Sequence, residues 1–310
     1  MNNLDFHKPV LLKERLENLA PKKGEIYLDA TFGAGGYTRA ILESANCKVY
    51  SIDRDESAKK FAEIIEKDFP KNFTFLRGKF SESIELLAEQ NVTKLDGMVL
   101  DIGVSSMQFD DKERGFSFDS DAKLDMRMDQ QNPFSAYEAV NQLNEAELAR
   151  IFKEFGEEPK AKKIAKKIVE SRKTASITTC NELAKIVHSF YYGYFKTDPA
   201  TKTFQALRIF VNQELEELKR ALASSVKLLK KDGRLVVVSF HSLEDSIVKN
   251  FLKKEAGLDQ VVSRYQPESN QTNFVKNFQI ITRSAISPSE EEVAANPRGR
   301  SSKMRVAVKL

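Results

Sequence analysis

Short apolar runs alternate with amphipathic segments through the first hundred residues of the chain. EIYLDATF, CKVYSIDRD, NFTFLRGKF and KLDGMVLDIGVSS each contain a continuous apolar run. The first three are each followed by a segment with helical spacing of its apolar positions, namely TRAILESA, SAKKFAEIIEKDF and SESIELLAEQN. Continuous apolar strands that alternate with helices are typical of a parallel sheet covered on both faces. The pattern therefore predicts an α/β fold.

The strand signal disappears after Ser106. Residues 107–205 contain almost no continuous apolar run, and their first part, 107–134, is polar and rich in Asp, Met and Phe. Apolar positions then follow a helical period over three stretches, at 135–156, 158–173 and 179–192. We interpret this part of the chain as a helical region inserted into an α/β domain.

After the helical region the alternation of helices and strands resumes. FQALRIFVNQELEELKRALASSVKLL has the period of one long amphipathic helix, GRLVVVSF predicts a strand and LEDSIVKNFLKKE predicts a helix. FQIITR and MRVAVKL predict two closing strands, and loops are expected at 257–277 and 284–302. The domains predicted from this pattern are an α/β domain of residues 1–106 and 206–310 and an inserted helical domain of residues 107–205.

Composition narrows the class of protein without naming a partner. The 310 residues suit one large or two moderate domains. A net charge of +4 permits a nucleic-acid partner but does not require one. Cys47 and Cys180 are far apart and form no metal or redox motif, so a reducing, cytoplasmic setting is expected. Charges scattered through residues 1–20 argue against a signal peptide or a membrane span.

A glycine-rich loop follows the first predicted strand. Asp29 ends that strand, and Gly33, Gly35 and Gly36 precede the next helical segment. Glycines in this place let the backbone approach a ligand at a helix N-terminus. Asp53 ends the second strand, where a carboxylate can accept hydrogen bonds from both ribose hydroxyls of a nucleoside. A tight structural turn beside a surface Asp is the alternative, and the strand–loop–helix context favours the nucleoside site.

The spacing of the glycines excludes two common nucleotide sites. Thr38 stands where a dinucleotide motif needs its third Gly, which disfavours a nicotinamide-dependent oxidoreductase, and no Lys follows the glycines as a P-loop requires. S-adenosylmethionine fits, because it is a nucleoside cofactor without phosphates. Its amino-acid end can lie over the glycines, its ribose on Asp53 and its adenine beside Phe80. For Phe80, plain core packing remains an equal alternative.

Polar residues also follow the fourth and fifth predicted strands. Asp101 ends the fourth strand, and Ser239, His241 and Ser242 follow the fifth. Open α/β sheets bind their ligands at this carboxyl edge. His241 has three open interpretations: contact with a target base, a structural hydrogen bond, or a general base. Since no other His forms a ligand set with it, we do not expect a metal site.

Two stretches of the chain are strongly basic. Residues 158–173 carry seven Lys or Arg against two Glu, a local charge of +5, on a segment with one apolar face. The segment PRGRSSKMR contains Arg298 and Arg300 and no acid. Phosphate binding is one interpretation and a solvated surface is the other.

These residues lie within longer segments that identify a family. The chain resembles the bacterial ribosomal RNA small-subunit methyltransferase H family, also called MraW, over almost its whole length. The resemblance rests on eight segments in order: HKPVLLKE at 7–14, DATFGAGG at 29–36, IDRD at 52–55, LDIGVSSMQFDDKERGFSF at 100–118, LDMRMD at 124–129, DPATKTFQALRIFVN at 198–212, GRLVVVSFHSLED at 233–245 and NPRGRSSKMR at 296–305.

The resemblance implies a fold, a cofactor and a set of cofactor-binding residues. The implied fold is a Rossmann-like class I S-adenosylmethionine-dependent methyltransferase sheet with an inserted helical domain that recognises the substrate. The family's cofactor positions fall on Gly35, Gly36, Tyr37, Asp53, Phe80, Asp101 and Gln108. Tyr37 departs from the family, in which a His is common at this position.

The resemblance also implies a reaction. Members methylate the exocyclic N4 amine of a cytosine in the decoding region (P site) of 16S ribosomal RNA, so the small ribosomal subunit is the expected partner. Asp101 is expected to be catalytic, near both the methionine end of the cofactor and the target amine. His241 is the second catalytic candidate, and the candidates for substrate binding are Ser239, His241, Ser242, Arg298 and Arg300.

Two other functions remain open at this point. One is an RNA-binding module with a methyltransferase-like core and no catalysis. The other is a DNA cytosine-N4 methyltransferase, which is disfavoured because Asp101-Ile-Gly-Val-Ser-Ser replaces the Asn/Asp-Pro-Pro-aromatic stretch of many amino-methyltransferases. No membrane and no metal partner is expected, and the oligomeric state is left open, with a homodimer as one possibility.

Overall fold

The structure, a computed structural model, describes residues 9–258 and 275–310. The chain divides into two compact units. The first unit consists of the chain up to Gly103 and from Leu215 onward, and the second unit is Val104–Glu214. Most of the loop predicted at 257–277 lies outside the described residues.

The first unit contains a seven-stranded sheet. Its strands are β1 (Ile26–Asp29), β2 (Lys48–Asp53), β3 (Phe73–Arg77), β4 (Leu95–Asp101), β5 (Leu229–Ser239), β6 (Phe278–Ile280) and β7 (Lys303–Lys309). Their spatial order is β3-β2-β1-β4-β5-β7-β6, with β1 to β5 parallel and β7 antiparallel to both of its neighbours. The predicted α/β class, with two closing strands, is confirmed.

Thirteen α-helices lie in the described part of the chain. They are α1 (Leu12–Leu19), α2 (Gly36–Ser44), α3 (Lys59–Asp68), α4 (Ser83–Glu89), α5 (Ser106–Asp110), α6 (Ala136–Gln142), α7 (Glu145–Gly156), α8 (Ala161–Ser171), α9 (Cys180–His188), α10 (Ala200–Asn212), α11 (Glu214–Leu228), α12 (Ser242–Glu255) and α13 (Glu290–Ala295). Helices α5 to α10 belong to the second unit. Within residues 9–258 and 275–310, no helix combines the length and the apolar character that a bilayer span requires.

The central strands β1 and β4 are buried along nearly their whole length. In β4, Met98, Val99 and Leu100 are fully buried, as a parallel strand with helices on both faces requires. The covering helices are amphipathic: α3 buries Phe61 and Ile65 and turns its charged residues to solvent. The order of the strands reverses between β1 and β4, and open α/β sheets bind ligands at such a switch point.

The second unit is built from helices around its own apolar core. That core includes residues of α6 to α10 and also side chains from the polar-looking segment 107–134, such as Phe116 and Met126. Helices α7 and α10 approach very closely at Gly156. A Cβ at this position would lie 2.3 Å from the carbonyl oxygen of Lys202, so the contact requires a residue without a side chain. The unit spans Val104–Glu214, whereas the sequence places the insertion at residues 107–205.

The single long helix predicted from FQALRIFVNQELEELKRALASSVKLL is wrong. The structure divides it into α10 and α11 at Gln213, whose φ is +53°. Arg208 spans the break with a two-pronged ion pair to Glu214, and both N···O distances are 2.9 Å. The first helix therefore packs within the second unit, and most of the second helix belongs to the first unit.

The loop predicted at 284–302 is also partly wrong, because it contains α13. Ser289 caps this helix by accepting a hydrogen bond from the amide of Glu292 at 3.1 Å, and three Glu occupy the first turn. A short 3-10 turn, Pro297–Ser301, follows the helix. The helix is brief enough that helical periodicity has too few positions to reveal it.

Candidate active site

The glycine loop connects β1 to α2 at the switch point of the sheet. Gly33 and Gly35 both have a positive φ, of +56° and +78°. The amide of Gly33 donates a hydrogen bond of 2.8 Å to Oδ2 of Asp53, which ties the loop to the end of β2. Gly36 begins α2, so the backbone of the loop leads directly to a helix N-terminus.

Gly35 is required by crowding as well as by its backbone conformation. A Cβ at this position would lie 2.5 Å from Cδ1 of Ile65 and 2.7 Å from Cζ of Phe32. Gly24 has a similar φ of +83° but nothing within 4 Å of its Cβ position. Gly24 is therefore a matched control that has the backbone strain without the crowding.

We expect Gly35→Ala to lower the free energy of unfolding by about 3 kcal/mol, since it adds overpacking to left-handed strain. Gly24→Ala should cost only about 1 kcal/mol, from the strain alone. Urea titration of both variants measures the two losses. Equal losses would show that the loop has room for a side chain at Gly35.

Asp53 presents a carboxylate at the end of β2. Its Oδ1 accepts a hydrogen bond from the amide of Asp55 at 2.8 Å, and its Oδ2 accepts the bond from Gly33. Burial raises the pKa of Asp53 to about 6, although these two backbone hydrogen bonds act in the opposite direction. At neutral pH the group is therefore ionised, with lone pairs left to accept further hydrogen bonds.

Asp29 holds the glycine loop in place through hydrogen bonds to residues on both sides of the glycines. It is buried at the end of β1, where its Oδ2 accepts a hydrogen bond of 2.7 Å from the hydroxyl of Thr38 in α2. Its Oδ1 accepts from the amide of Thr31 at 3.2 Å. Burial raises its pKa to about 6 as well. The inward position of this carboxylate makes it a structural group that fixes the loop.

Asp101 lies at the end of β4, beside the loop after β1. Its amide donates a hydrogen bond of 2.7 Å to Oγ1 of Thr31, which joins the two strand ends. Its Oδ2 accepts a hydrogen bond from Nη1 of Arg15 at 2.7 Å. Its Oδ1 is buried and has no hydrogen-bond partner among the residues that the structure describes. An acceptor that lacks a partner marks a place where a ligand group can donate.

Arg15 is the residue of this site that the sequence interpretation missed. It projects from α1 and is fully buried, and its guanidinium lies 5.5 Å from the centre of the Tyr37 ring. Nε and Nη2 of Arg15 and the hydroxyl of Tyr37 have no hydrogen-bond partner within the described ranges. A signal was present, since Arg15 stands four residues from Leu11 and from Leu19 on the apolar face of α1.

Two other residues expected at the cofactor lie in different surroundings. Phe80 begins a short 3-10 turn after β3, where it is partly buried against the apolar core of the first unit. Gln108 belongs to the second unit, and its side-chain oxygen accepts a hydrogen bond of 3.1 Å from the amide of Ser105 at the start of α5. Their roles at the cofactor remain predictions.

The segment after β5 lies beside β4, since Asp101 pairs with Val238. Ser239 is buried, and its hydroxyl donates a hydrogen bond of 3.3 Å to the carbonyl of Lys303. His241 precedes α12, which begins at Ser242, and its Nε2 lies 2.9 Å from Oε1 of Glu244. The structure therefore gives Ser239 a partner within the protein, and it brings His241 to the edge where Asp101 lies.

The last two residues predicted to bind substrate, Arg298 and Arg300, lie in the turn before β7. Arg298 and Arg300 are exposed, and Gly299 between them is buried against Val10, whose Cγ2 would lie 2.9 Å from an added Cβ. The turn is thus fixed at its centre while both cations face solvent. This arrangement is compatible with contact to a phosphate backbone.

The strand order β3-β2-β1-β4-β5-β7-β6, the glycine loop after β1 and the acid after β2 define a Rossmann-like methyltransferase of the class I type. More particularly, the chain belongs to the MraW methylase family, whose model matches residues 5–310. This assignment confirms the family expected from the sequence.

Curated relatives agree with the family assignment. A protein of Rickettsia felis is 51% identical over 307 residues, which cover 98% of this chain and 98% of that protein. A protein of Rickettsia massiliae is 52% identical over 307 residues with the same coverage, and one of Rickettsia akari is 50% identical over 310 residues, with 99% of each chain covered. All three are named ribosomal RNA small subunit methyltransferase H.

The methylase uses S-adenosylmethionine as its cofactor, and the residues of the first unit fit such a ligand. Gly35 keeps the backbone free of a side chain where α2 begins, and Asp53 offers an ionised acceptor suited to ribose hydroxyls. The buried Oδ1 of Asp101, without a partner in the described structure, can accept from an ammonium or an amine. Two acids also suit a cofactor that carries positive charge.

Proposed function

We propose that this chain transfers a methyl group from S-adenosylmethionine to the exocyclic N4 amine of a P-site cytosine in 16S ribosomal RNA. The substrate in this proposal is RNA within the small ribosomal subunit, in the cytoplasm. The observation that carries the chemistry is Oδ1 of Asp101 at the switch point of the sheet, which is buried and has no hydrogen-bond partner among the described residues. The names of the curated relatives support the choice of RNA.

The amine of cytosine is a poor nucleophile because its lone pair is delocalised into the ring. Bound S-adenosylmethionine supplies an electrophilic methyl group on a sulfonium. Asp101 is proposed to accept a hydrogen bond from the amine, which favours the pyramidal nitrogen that can attack. Arg15 and Thr31 fix the orientation of Asp101 through contacts of 2.7 Å to its carboxylate and its amide.

The cysteines favour the amine over the ring carbon C5 as the methyl acceptor. A cytosine ring carbon becomes nucleophilic when a thiolate adds to the neighbouring carbon, so that reaction needs an accessible, reactive Cys. The chain has two Cys, and both are buried. Burial raises the pKa of Cys47 to about 11 and that of Cys180 to about 12. Cys47 also precedes β2, at the opposite end of the strand from Asp53.

His241 is proposed to contact the target base rather than to remove a proton. Its Nε2 lies 2.9 Å from the buried carboxylate of Glu244, but neither ring nitrogen makes a hydrogen bond within the described residues, so the ring can still bond to a ligand. Ser242 begins the adjoining helix and is the second candidate for a hydrogen bond to the base. A base can reach these groups only when it is unpaired and turned out of its helix. The second unit is proposed to recognise the surrounding RNA.

We expect Asp53→Ala to weaken binding of S-adenosylmethionine about a hundredfold, because two hydrogen bonds to a charged acceptor are lost. In the wild type, affinity should fall as the pH drops through about 6, since protonation removes a lone pair that the ribose needs. Calorimetric titration between about pH 5 and pH 8 measures both effects.

Glu63→Ala is the matched control for the Asp53 variant, since it removes an exposed carboxylate from α3. This variant should bind the cofactor as tightly as the wild type and show the same dependence on pH. A wild-type affinity that does not change across pH 6 would contradict the role given to Asp53.

The proposed substrate is tested by transfer of tritiated methyl groups from S-adenosylmethionine. Small ribosomal subunits that lack the modification, naked 16S RNA and duplex DNA are compared. Label in the subunits supports the proposal. Label in naked RNA alone would show that the substrate is free RNA and not the assembled subunit. Label in DNA would indicate a DNA methyltransferase. Cofactor binding without label in any substrate would indicate a binding module.

A further inference from the structure

The loop between α9 and α10 exposes an unusual number of aromatic rings. Its sequence at residues 190–196 is FYYGYFK, and we call this segment the aromatic loop. Tyr192 is 86% exposed, Tyr194 is 94% exposed and Phe195 is 43% exposed. Among the described residues, the two tyrosines are the most exposed of the large hydrophobic side chains. Exposed large hydrophobic side chains that cluster in one segment are a candidate interaction surface.

The base of the aromatic loop is fixed to the second unit. Nζ of Lys160 lies 3.8 Å from the centre of the Tyr191 ring and donates a hydrogen bond to the carbonyl of Phe190. The hydroxyl of Tyr191 donates to the buried carboxylate of Glu158. The Phe195 ring packs edge-on against Tyr191, with 5.5 Å between the ring centres. Both ends of the loop are therefore anchored.

The tip of the loop, in contrast, stands clear of the protein. Gly193 has a φ of +96°, and apart from its two chain neighbours no described residue has an atom within 4 Å of the position that its Cβ would take. This glycine separates Tyr192 from Tyr194, so both rings project from an anchored base into solvent. Both rings are therefore accessible to a partner that offers flat groups.

The surroundings of the aromatic loop are basic. Lys160 stands at the amino end of α8, so this end of the helix meets the base of the loop. Exposed lysines continue along α8 and within the loop itself, at Lys162, Lys163, Lys166, Lys167 and Lys196. In the described structure only Lys166 of these five has an ion pair, at 3.9 Å from Glu170. The remaining cations are available to an anionic partner.

We propose that the aromatic loop stacks unpaired RNA bases on Tyr192 and Tyr194 while the lysines of α8 contact the phosphates. The inference rests on the proposed function and adds to it, because it requires unpaired bases in the RNA substrate besides the target cytosine. Proteins that bind single strands combine aromatic rings for the bases with cations for the backbone. A protein partner would instead favour an interface core depleted of charge, and this loop is flanked by exposed lysines on α8 and at Lys196.

Variants of the two tyrosines separate stacking from other contacts. Phe at both positions keeps the rings, Leu keeps apolar area without a ring, and Ala removes both. We expect the Phe variant to bind small ribosomal subunits within about twofold of the wild type. The Leu and Ala variants should each bind at least about thirtyfold more weakly, since each stacked base contributes about 1–3 kcal/mol. Filter binding at one fixed salt concentration measures the dissociation constants.

A second readout depends on stacking and not on methyl transfer. The chain has no Trp and eight Tyr, so its ultraviolet emission comes from tyrosine. Single-stranded polyuridylate should quench this emission in the wild type. Because all three variants lack Tyr192 and Tyr194 themselves, their binding to polyuridylate is compared by filter binding, in which the Phe variant should match the wild type within about twofold and the Leu and Ala variants should bind far more weakly. Unchanged melting temperatures would show that all variants fold.

The outcomes distinguish this inference from the proposed function. If the wild type methylates small subunits and the Ala variant binds them equally well, the inference about the aromatic loop is wrong and the proposed function stands. Leu variants that bind as tightly as the wild type would overturn stacking in favour of an apolar contact. Wild-type protein that methylates no ribosomal RNA would overturn the proposed function, whatever the variants bind. Flotation of the wild type, but not of the Ala variant, with anionic phospholipid vesicles would assign the loop to membranes and overturn the proposal.

Discussion

Asp101→Ala is expected to reduce methyl transfer to small ribosomal subunits by at least about a thousandfold at saturating cofactor. The side chain ends β4 beside the glycine loop, and its Oδ1 is a buried acceptor without a partner in the described structure. Removing the carboxylate removes the group that is proposed to accept a hydrogen bond from the amine while the nitrogen attacks the methyl group. Asp101→Asn should be nearly as inactive, because an amide offers only one acceptor oxygen.

Single-turnover measurements with excess cofactor separate this chemical effect from weaker cofactor binding. Asp96→Asn is the matched control, since Asp96 lies on the same strand and pairs with a cation, Lys230, at 2.8 Å. Asp96 is near the start of β4, away from the carboxyl edge, so its variant should react at the wild-type rate. An Asp101→Ala enzyme within tenfold of the wild type would refute the catalytic assignment.

Arg15→Met is expected to lower the free energy of unfolding by about 2–3 kcal/mol and to slow methyl transfer as well. The side chain of Arg15 is fully buried, whereas that of Asp101 is 29% exposed. In the variant, water can therefore solvate the Asp101 carboxylate in part, which limits the loss of stability. Without the guanidinium, Oδ2 of Asp101 loses its hydrogen bond and the carboxylate is no longer oriented. Equilibrium unfolding in urea and single-turnover rates measure the two effects.

A double-mutant cycle tests whether Arg15 acts through Asp101. The combined Arg15→Met/Asp101→Asn variant should be more stable than the sum of the single variants predicts, by about 1 kcal/mol or more. Arg15→Lys keeps the charge but loses the planar fork, and it should recover part of the stability and rate. Additive losses in the cycle would mean that Arg15 contributes to stability independently of Asp101.

The fold could be predicted from the sequence where one periodicity dominates. Strands β1 to β5 each contain a short apolar run with buried positions, and no helical spacing competes with these runs. The break at Gln213 could not be predicted, because Gln is a good helix former and the apolar period continues through it. Its left-handed conformation depends on tertiary contacts such as the ion pair between Arg208 and Glu214.

Part of the candidate site follows from local sequence and part does not. Gly33 and Gly35 lie in the loop between β1 and α2, and Asp53 ends the next strand, so their spacing reflects one strand–loop–helix–strand unit. The structure joins Gly33 to Asp53 by a hydrogen bond. Arg15 meets Asp101 across 86 residues of sequence, and no local pattern encodes that pairing. An Arg on an apolar helix face indicates that a partner exists without saying which residue it is.

The measurement that tests the central claim most directly is identification of the methylated nucleoside. Small ribosomal subunits lacking the modification are incubated with the protein and labelled S-adenosylmethionine, and their 16S RNA is digested and separated by chromatography with mass spectrometry. The account predicts label in N4-methylcytidine, and the Asp101→Ala enzyme should produce almost none. Label in 5-methylcytidine, or in any nucleoside other than cytidine, would contradict methyl transfer to the exocyclic amine.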